Sequence, residues 1–252
     1  MKIRFPVAVV AVLLCSGAIG WALSRTQSLP TTEAQGPTVA RPVRHTRVLR
    51  LPRGWSFIAV ARSATLRVYR HPHRGPSTTL SNQLSAGAPL SLLVRRLRGH
   101  WIEVYLPIRP DGSTGWVPAR SVRLVTTAYE ITVRLRSHRL VLAVASKIVR
   151  TFPIGVGRSV TPTPTGTYFI TELLKQPDPN GFYGPFAFGL SAYSTVLTNF
   201  SGGPGQVGIH GTNAPQLVGT DVSHGCIRLR NPDIVWLTRR LPLGTPVKIS
   251  DA

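Results

Sequence analysis

Apolar residues in this chain recur at a spacing of two, in short runs, and Gly or Pro closes most of the runs. From Ala128 onward Tyr129, Ile131, Val133 and Leu135 alternate with Glu130, Thr132, Arg134 and Arg136, which puts the apolar side chains on one face of an extended segment. Leu66 to Tyr69, Pro89 to Val94, Trp101 to Leu106, Leu140 to Val144, Thr167 to Thr171 and Pro246 to Ser250 are runs of the same length class. With 23 Gly and 22 Pro in 252 residues, these runs cannot merge into long helices, so the chain is expected to be mainly β. Helical spacing shows at Ile234, Leu237 and Leu241, behind Asn231-Pro232-Asp233. That opening combines a favoured N-cap, Pro at N1 and an acid in the first turn, so one or two short helices are expected.

The pattern changes along the chain and divides it into 1–25, 26–55, 56–126 and 127–252. In the first segment Lys2 and Arg4 are followed by no charge until Arg25. Such a segment is either a signal peptide cut near Ala18, Gly20, Ala22 or Ser24, or an anchor in which residues 5–24 span a bilayer. Either one exports the rest of the chain, to the periplasm or the cell wall. Leu14 stands where a lipidation signal requires a small residue, which argues against lipid attachment at Cys15. Residues 26–55 are rich in Pro, Thr and Arg without a sustained period and read as a tether. Residues 56–126 are expected to form a small all-β unit, and residues 127–252 a second β domain.

Thirty Lys and Arg against nine Asp and Glu give a net charge of +21. Such a chain seeks a polyanion: nucleic acid, an anionic membrane surface or an acidic wall polymer. The Arg residues are scattered, with no long basic run, no RNP-like aromatic motif and no zinc-finger spacing, so nucleic acid is not expected as a partner.

The chemistry-bearing residues lie in Ile209-His210-Gly211-Thr212-Asn213 and in Ser223-His224-Gly225-Cys226-Ile227-Arg228-Leu229-Arg230-Asn231. Cys226 is the only cysteine beyond the leader, so it forms no disulfide within the exported part. A thiol attacks as its thiolate; a neighbouring imidazole can take the proton and positive charge can stabilise the anion. His210, His224 and Arg228 supply those groups. A zinc site built from His210, His224 and Cys226 is the other chemical reading, but it lacks a fourth ligand.

These two motifs, with 15 residues between His210 and Cys226, resemble the L,D-transpeptidase (YkuD-type) catalytic domain. The resemblance extends back through Thr163-Pro164-Thr165-Gly166 to Tyr129 and covers about half the chain. Ahead of it, Trp101-Ile102-Glu103-Val104 followed by Gly115-Trp116-Val117 resembles a bacterial SH3-like barrel. The resemblance implies a β-sandwich-like catalytic domain acting on peptidoglycan stem peptides, with anionic wall polymers as further partners and the membrane touched only through the N-terminal segment. It implies no metal and no organic cofactor. Cys226 would be the nucleophile, His210 its base and the Gly211 carbonyl the group that orients the imidazole. His224, with the N–H groups of Gly225 and Cys226, would line the oxyanion position. Ser223, Gly225, Arg228 and Asn231 would contact substrate, Arg228 through a carboxylate, although Ser223 could equally shape the turn and Asn231 is already explained as an N-cap. Asp221 is not required.

The implied reaction is attack on a tetrapeptide stem with release of D-alanine, then transfer of the acyl group to an amine, giving a 3-3 cross-link. Transfer to water would make the protein an L,D-carboxypeptidase, and loss of activity would leave a wall-binding protein. Tyr183, Phe186 and Phe188 are either a lid over the site or core, and Trp101 and Trp116 are expected to be barrel core.

Overall fold

A computed structural model describes residues 50–81, 88–200 and 202–252. The expected leader, and the tether up to residue 49, lie outside the described residues. Among the described residues no helix is long and apolar enough to cross a membrane.

The chain is mainly β, with seventeen strands and one α-helix among the described residues. β1 (Ser56–Ala61), β2 (Thr65–His71), β3 (Arg74–Ser81), β4 (Ser91–Arg98), β5 (Trp101–Tyr105), β6 (Thr114–Pro118) and β7 (Val122–Thr127) form one sheet in the order β3-β2-β6-β5-β4-β1-β7. Every pairing in it is antiparallel. Its core is built from Leu66, Val68, Leu92, Ile102, Val104 and Val117. Trp116 is buried, as expected of a core aromatic, whereas Trp101 is half-buried and donates its indole N–H to His73 Nε2 at 2.8 Å.

The second sheet begins at β8 (Tyr129–Arg134), whose alternation was legible in the sequence, and continues through β9 (Arg139–Val144) and β10 (Lys147–Pro153). After the short β11 (Val156–Gly157) come β12 (Gly166–Lys175), β13 (Phe186–Tyr193), β14 (Gln206–His210), β15 (Asp221–Ser223), β16 (Ile227–Arg228), helix α1 (Asn231–Thr238) and β17 (Pro246–Ser250). The sheet order is β10-β9-β8-β17-β12-β13-β14-β16, and β11 pairs separately with β15. The last strand, β17, inserts between β8 and β12, parallel to the first and antiparallel to the second. Ile131, Leu142, Tyr168, Phe188, Ile209 and Ile234 meet in one core cluster, so the sheet wraps around a single interior closed by α1. Ile234 and Leu237 are the buried residues of α1, at the spacing expected.

The two sheets share side chains. Phe169 of β12 is buried in the core of the first sheet, a contribution of about 2 kcal/mol for a side chain of this size. Gly244 leaves the space that Ile58 of β1 fills.

Candidate active site

Strand pairing creates the site. β14 and β16 run parallel with Ile209 opposite Ile227 and His210 opposite Arg228, so the residue just ahead of β16, Cys226, comes beside Gly208 in the middle of β14. The Gly208 N–H donates to Cys226 Sγ at 3.4 Å. Ile209 and Ile227 are fully buried and anchor the two strands in the core, leaving their polar neighbours at the strand ends.

The turn that carries the thiol is held from both sides. Ser223 Oγ donates to the Cys226 carbonyl at 2.6 Å and accepts from the Gly225 N–H at 3.0 Å. Ser223 is buried, so both of these bonds shape the turn. Gly225 sits at φ +117°, a conformation that L side chains rarely adopt. The Gly225 N–H, expected at the oxyanion position, is thus directed to Ser223 Oγ, because the turn closes on its own serine. From the other side, the Pro/Thr-rich loop between β11 and β12 packs under the turn. The Arg158 N–H and Thr161 Oγ1 both donate to the Ser223 carbonyl, at 3.1 and 3.2 Å, and Thr163 Oγ1 accepts from the Gly157 N–H at 2.9 Å.

His210 is buried, and its Nδ1 donates to the Gly211 carbonyl at 2.6 Å. A carbonyl only accepts, so the proton is on Nδ1 and Nε2 is left as a bare acceptor. Nε2 has no hydrogen-bond partner among the described residues. Burial pushes the imidazole down to about 4; the Gly211 bond opposes that and the Arg228 charge adds to it. Burial also pushes the Cys226 thiol up, against the Gly208 N–H and Arg228, which favour the thiolate. The resting pair is therefore a neutral thiol beside a neutral imidazole. Asp221 does not line the cavity of this pair and bonds His138, at 2.8 Å.

His224 and Arg228 complete the surroundings. Arg158 Nη2 lies 2.8 Å from His224 Nε2, and a guanidinium can only donate, so His224 carries its proton on Nδ1. That Nδ1 and Arg228 Nε are buried with no hydrogen-bond partner among the described residues, and both residues line the cleft beside Cys226. Burial pulls the Arg228 guanidinium down while Cys226 holds it up, and it stacks 4.5 Å from the Phe182 ring centroid.

Asn231 departs from expectation. Arg230 is the N-cap of α1, and Asn231, in the first turn, turns its Oδ1 to accept from the Thr212 N–H at 2.8 Å. A Cβ on Gly211 would collide with that Oδ1, which fixes Gly211 and so the carbonyl that orients His210. The sequence carried no signal for the Arg158 and Asn231 contacts, since each joins segments far apart in the chain. Of the three aromatics expected as lid or core, Phe186 and Phe188 lie in β13, Phe188 in the core and Phe186 packed against it. Tyr183 stands over the site, 4.8 Å from the His210 ring. Phe200 similarly covers His224 at 5.1 Å.

Cys226, His210 and Tyr183 share a cavity of about 300 Å³. Among the described residues no group of three or more His, Cys, Asp and Glu converges as a metal site would require.

A family model described as the L,D-transpeptidase catalytic domain matches residues 128–249. YkuD of Bacillus subtilis (strain 168) is 36% identical over 125 residues, covering 50% of this chain and 68% of that protein. ErfK/SrfK of Escherichia coli (strain K12) is 32% identical over 206 residues, covering 76% of this chain and 64% of that one. Both are named, provisionally, as L,D-transpeptidases. A crystal structure of an L,D-transpeptidase from Mycobacterium tuberculosis H37Rv aligns with a TM-score of 0.41 at 20% identity, over 62% of this chain and 96% of that one.

Proposed function

Since the chain belongs to the L,D-transpeptidase family, we propose that it joins peptidoglycan stem peptides through a thioester on Cys226. The observation that carries this reading is the His210 imidazole: Nδ1 fixed by the Gly211 carbonyl, Nε2 bare, in the cavity that Cys226 lines.

In the first half-reaction Cys226 Sγ attacks the carbonyl carbon of the third residue of a tetrapeptide stem while His210 Nε2 takes the thiol proton. The carbonyl oxygen becomes an oxyanion, for which the donors are the Cys226 N–H and His224 Nδ1–H. The C–N bond to the terminal D-alanine then breaks, and His210 returns the proton to the leaving amine. Thioester and neutral imidazole remain. In the second half-reaction an amine attacks the thioester, His210 takes a proton from it and gives that proton to the departing thiolate. Arg228, with an unpartnered Nε, takes a carboxylate of the donor stem. Ser223 and Gly225 hold the nucleophile turn, and Asn231 holds the Gly211 loop.

The remaining parts fit work on a wall. Residues 1–25 export the chain, residues 26–55 give it reach, and residues 56–126 form an SH3-like module. The net charge of +21 favours anionic wall polymers.

Incubating the full chain with a tetrapeptide stem, alongside Cys226→Ala, tests the proposal by mass spectrometry of the products. A cross-linked dimer that disappears in the variant is the expected outcome. Tripeptide alone would make the protein a carboxypeptidase, and identical products from both proteins would remove Cys226 from the chemistry.

A further inference from the structure

The first sheet carries a basic cavity that the transferase chemistry does not use. Two tight turns line it: His71 to Arg74, which joins β2 to β3, and Arg98 to Trp101, which joins β4 to β5. In each turn the first and last residues face each other across the hairpin, His71 opposite Arg74 and Arg98 opposite Trp101. The cavity has a volume of about 740 Å³, more than twice that of the cavity beside Cys226, of about 300 Å³.

One hydrogen bond ties the two turns together. Trp101 donates its indole N–H to His73 Nε2 at 2.8 Å. An indole only donates, so His73 keeps its proton on Nδ1. His73 sits at φ +63°, a left-handed conformation that a residue with a Cβ keeps only where its surroundings hold it. Tyr69 meets the Trp101 ring at right angles, with 5.3 Å between centroids, and fixes the indole from a second side. These contacts shape the cavity before any ligand arrives.

The side chains around it are cations and donors without partners. Elsewhere the scarce acids are matched to bases: Glu103 takes Arg95 and Arg96 of the same β4–β5 hairpin, and Asp233 takes Arg150. Among the described residues no carboxylate pairs with His71, Arg74, Arg98 or His100, and none lines the cavity. All four of these residues are exposed. Two guanidiniums held at one cavity without a counter-charge repel each other, and an anion between them removes that cost.

We propose that this cavity binds a phosphate-bearing wall polymer, whose phosphates bridge Arg74 and Arg98. This rests on the reading that the net charge draws the chain to anionic wall polymers, and it gives that contact a place and a chemistry. A guanidinium meets a phosphate through two parallel N–H···O bonds, and imidazole N–H groups add single ones. The two oxygens of a carboxylate lie in one plane and suit one guanidinium, whereas a tetrahedral phosphate accepts from two turns at once. Nucleic acid carries the same phosphates, but single strands are held by stacking bases on open aromatic faces. The Trp101 ring is already engaged by Tyr69 and His73. None of the residues of this cavity lines the one that holds Cys226, so polymer and stem peptide are bound at separate places.

The test is equilibrium binding of the full chain to labelled poly(glycerol phosphate) at about 0.15 M salt, where loose surface attraction is screened. The Arg74→Ala/Arg98→Ala double variant is compared with Arg134→Ala/Arg139→Ala, which removes the same charge from the β8–β9 hairpin of the second sheet. The first is expected to raise Kd about tenfold, the worth of one or two exposed charge-assisted hydrogen bonds, and the second by about twofold or less. Arg74→Lys/Arg98→Lys, which keeps the charge and loses the fork, is expected to fall between them and replaces the alanine pair should that pair unfold. Acylation of Cys226 by a tetrapeptide stem, measured on the same preparations, is expected to hold in every variant. Equal losses in the two alanine pairs would overturn the inference. So would polyglutamate or single-stranded DNA of equal charge binding as tightly as poly(glycerol phosphate). A wild type that binds none of these polymers would overturn the inference together with the wall-polymer reading, while acylation of Cys226 reports separately on the transpeptidase reading.

Discussion

A histidine with the ordinary pKa of 6.5 is half-charged in mild acid, but His210 is held down to about 4 by burial. The base is then competent wherever the imidazole is neutral, so the acylation rate should stay level from pH 7 to about 5 and fall with an acid limb near 4. A kcat/KM profile with its limb near 6.5 would show that burial does not set this base. Stability follows the same sign. Between about 6.5 and 4 the unfolded chain binds a proton that the folded chain refuses, so acidification through that window removes up to about 3 kcal/mol. Cys226, His210 and the Gly211 acceptor were legible in the sequence because each belongs to a short, dense motif. Arg158 was not, and Asn231 was read as N-cap and substrate contact, because its actual hydrogen bond, from the Thr212 N–H, exists only once β14 and α1 have been packed.

Among the elements, the loop from β11 to β12 has the clearest link to the thiol. Gly157 begins it, and a Cβ there would collide with the backbone of Thr161 and Thr163, the stretch that supports the Ser223 carbonyl. Gly157→Ala is expected to cost about 1–3 kcal/mol of stability by overpacking and to slow acylation together with it. Thermal denaturation and a single-turnover rate check this, and a stable variant with wild-type acylation would detach the loop from the nucleophile turn. Strand identities were readable from their alternation, as at β8 and β9. The sheet order was not: β17 pairs with β8 across more than a hundred positions and with β12 across about eighty, and no local period records that. The cap of α1 was misplaced by one residue for a related reason, since Asn231 has a stronger claim on its side chain from Thr212 than from its own helix.

Across the whole molecule, the first sheet does more than precede the second. Arg109, from the loop between β5 and β6, donates to the carbonyls of Ser194 and Pro204 at 2.8 and 2.9 Å. Asp111 of the same loop accepts from the Tyr193 N–H at 3.0 Å, and Tyr193 Oη donates to the Pro107 carbonyl at 2.8 Å. These bonds brace both ends of the segment between β13 and β14, whose Phe200 and Gly205 wall the cavity. Replacing Arg109 with Ala is expected to speed hydrogen exchange across residues 195–200 about tenfold, the net worth of one or two hydrogen bonds. Exchange at the wild-type rate would mean that the first sheet leaves the wall of the site alone. No sequence pattern announced this brace, because it depends on how two separately legible β units meet.

The central claim is a covalent bond to one sulfur atom. Intact-protein mass spectrometry of the full chain, quenched in acid seconds after mixing with a tetrapeptide stem, measures it directly. The expected result is a mass gain equal to the tripeptide acyl group, mapped by peptide digestion to Cys226 and absent from Cys226→Ala. An adduct on another residue, or cross-linked product accumulating with no adduct on Cys226 at any time, would contradict the account.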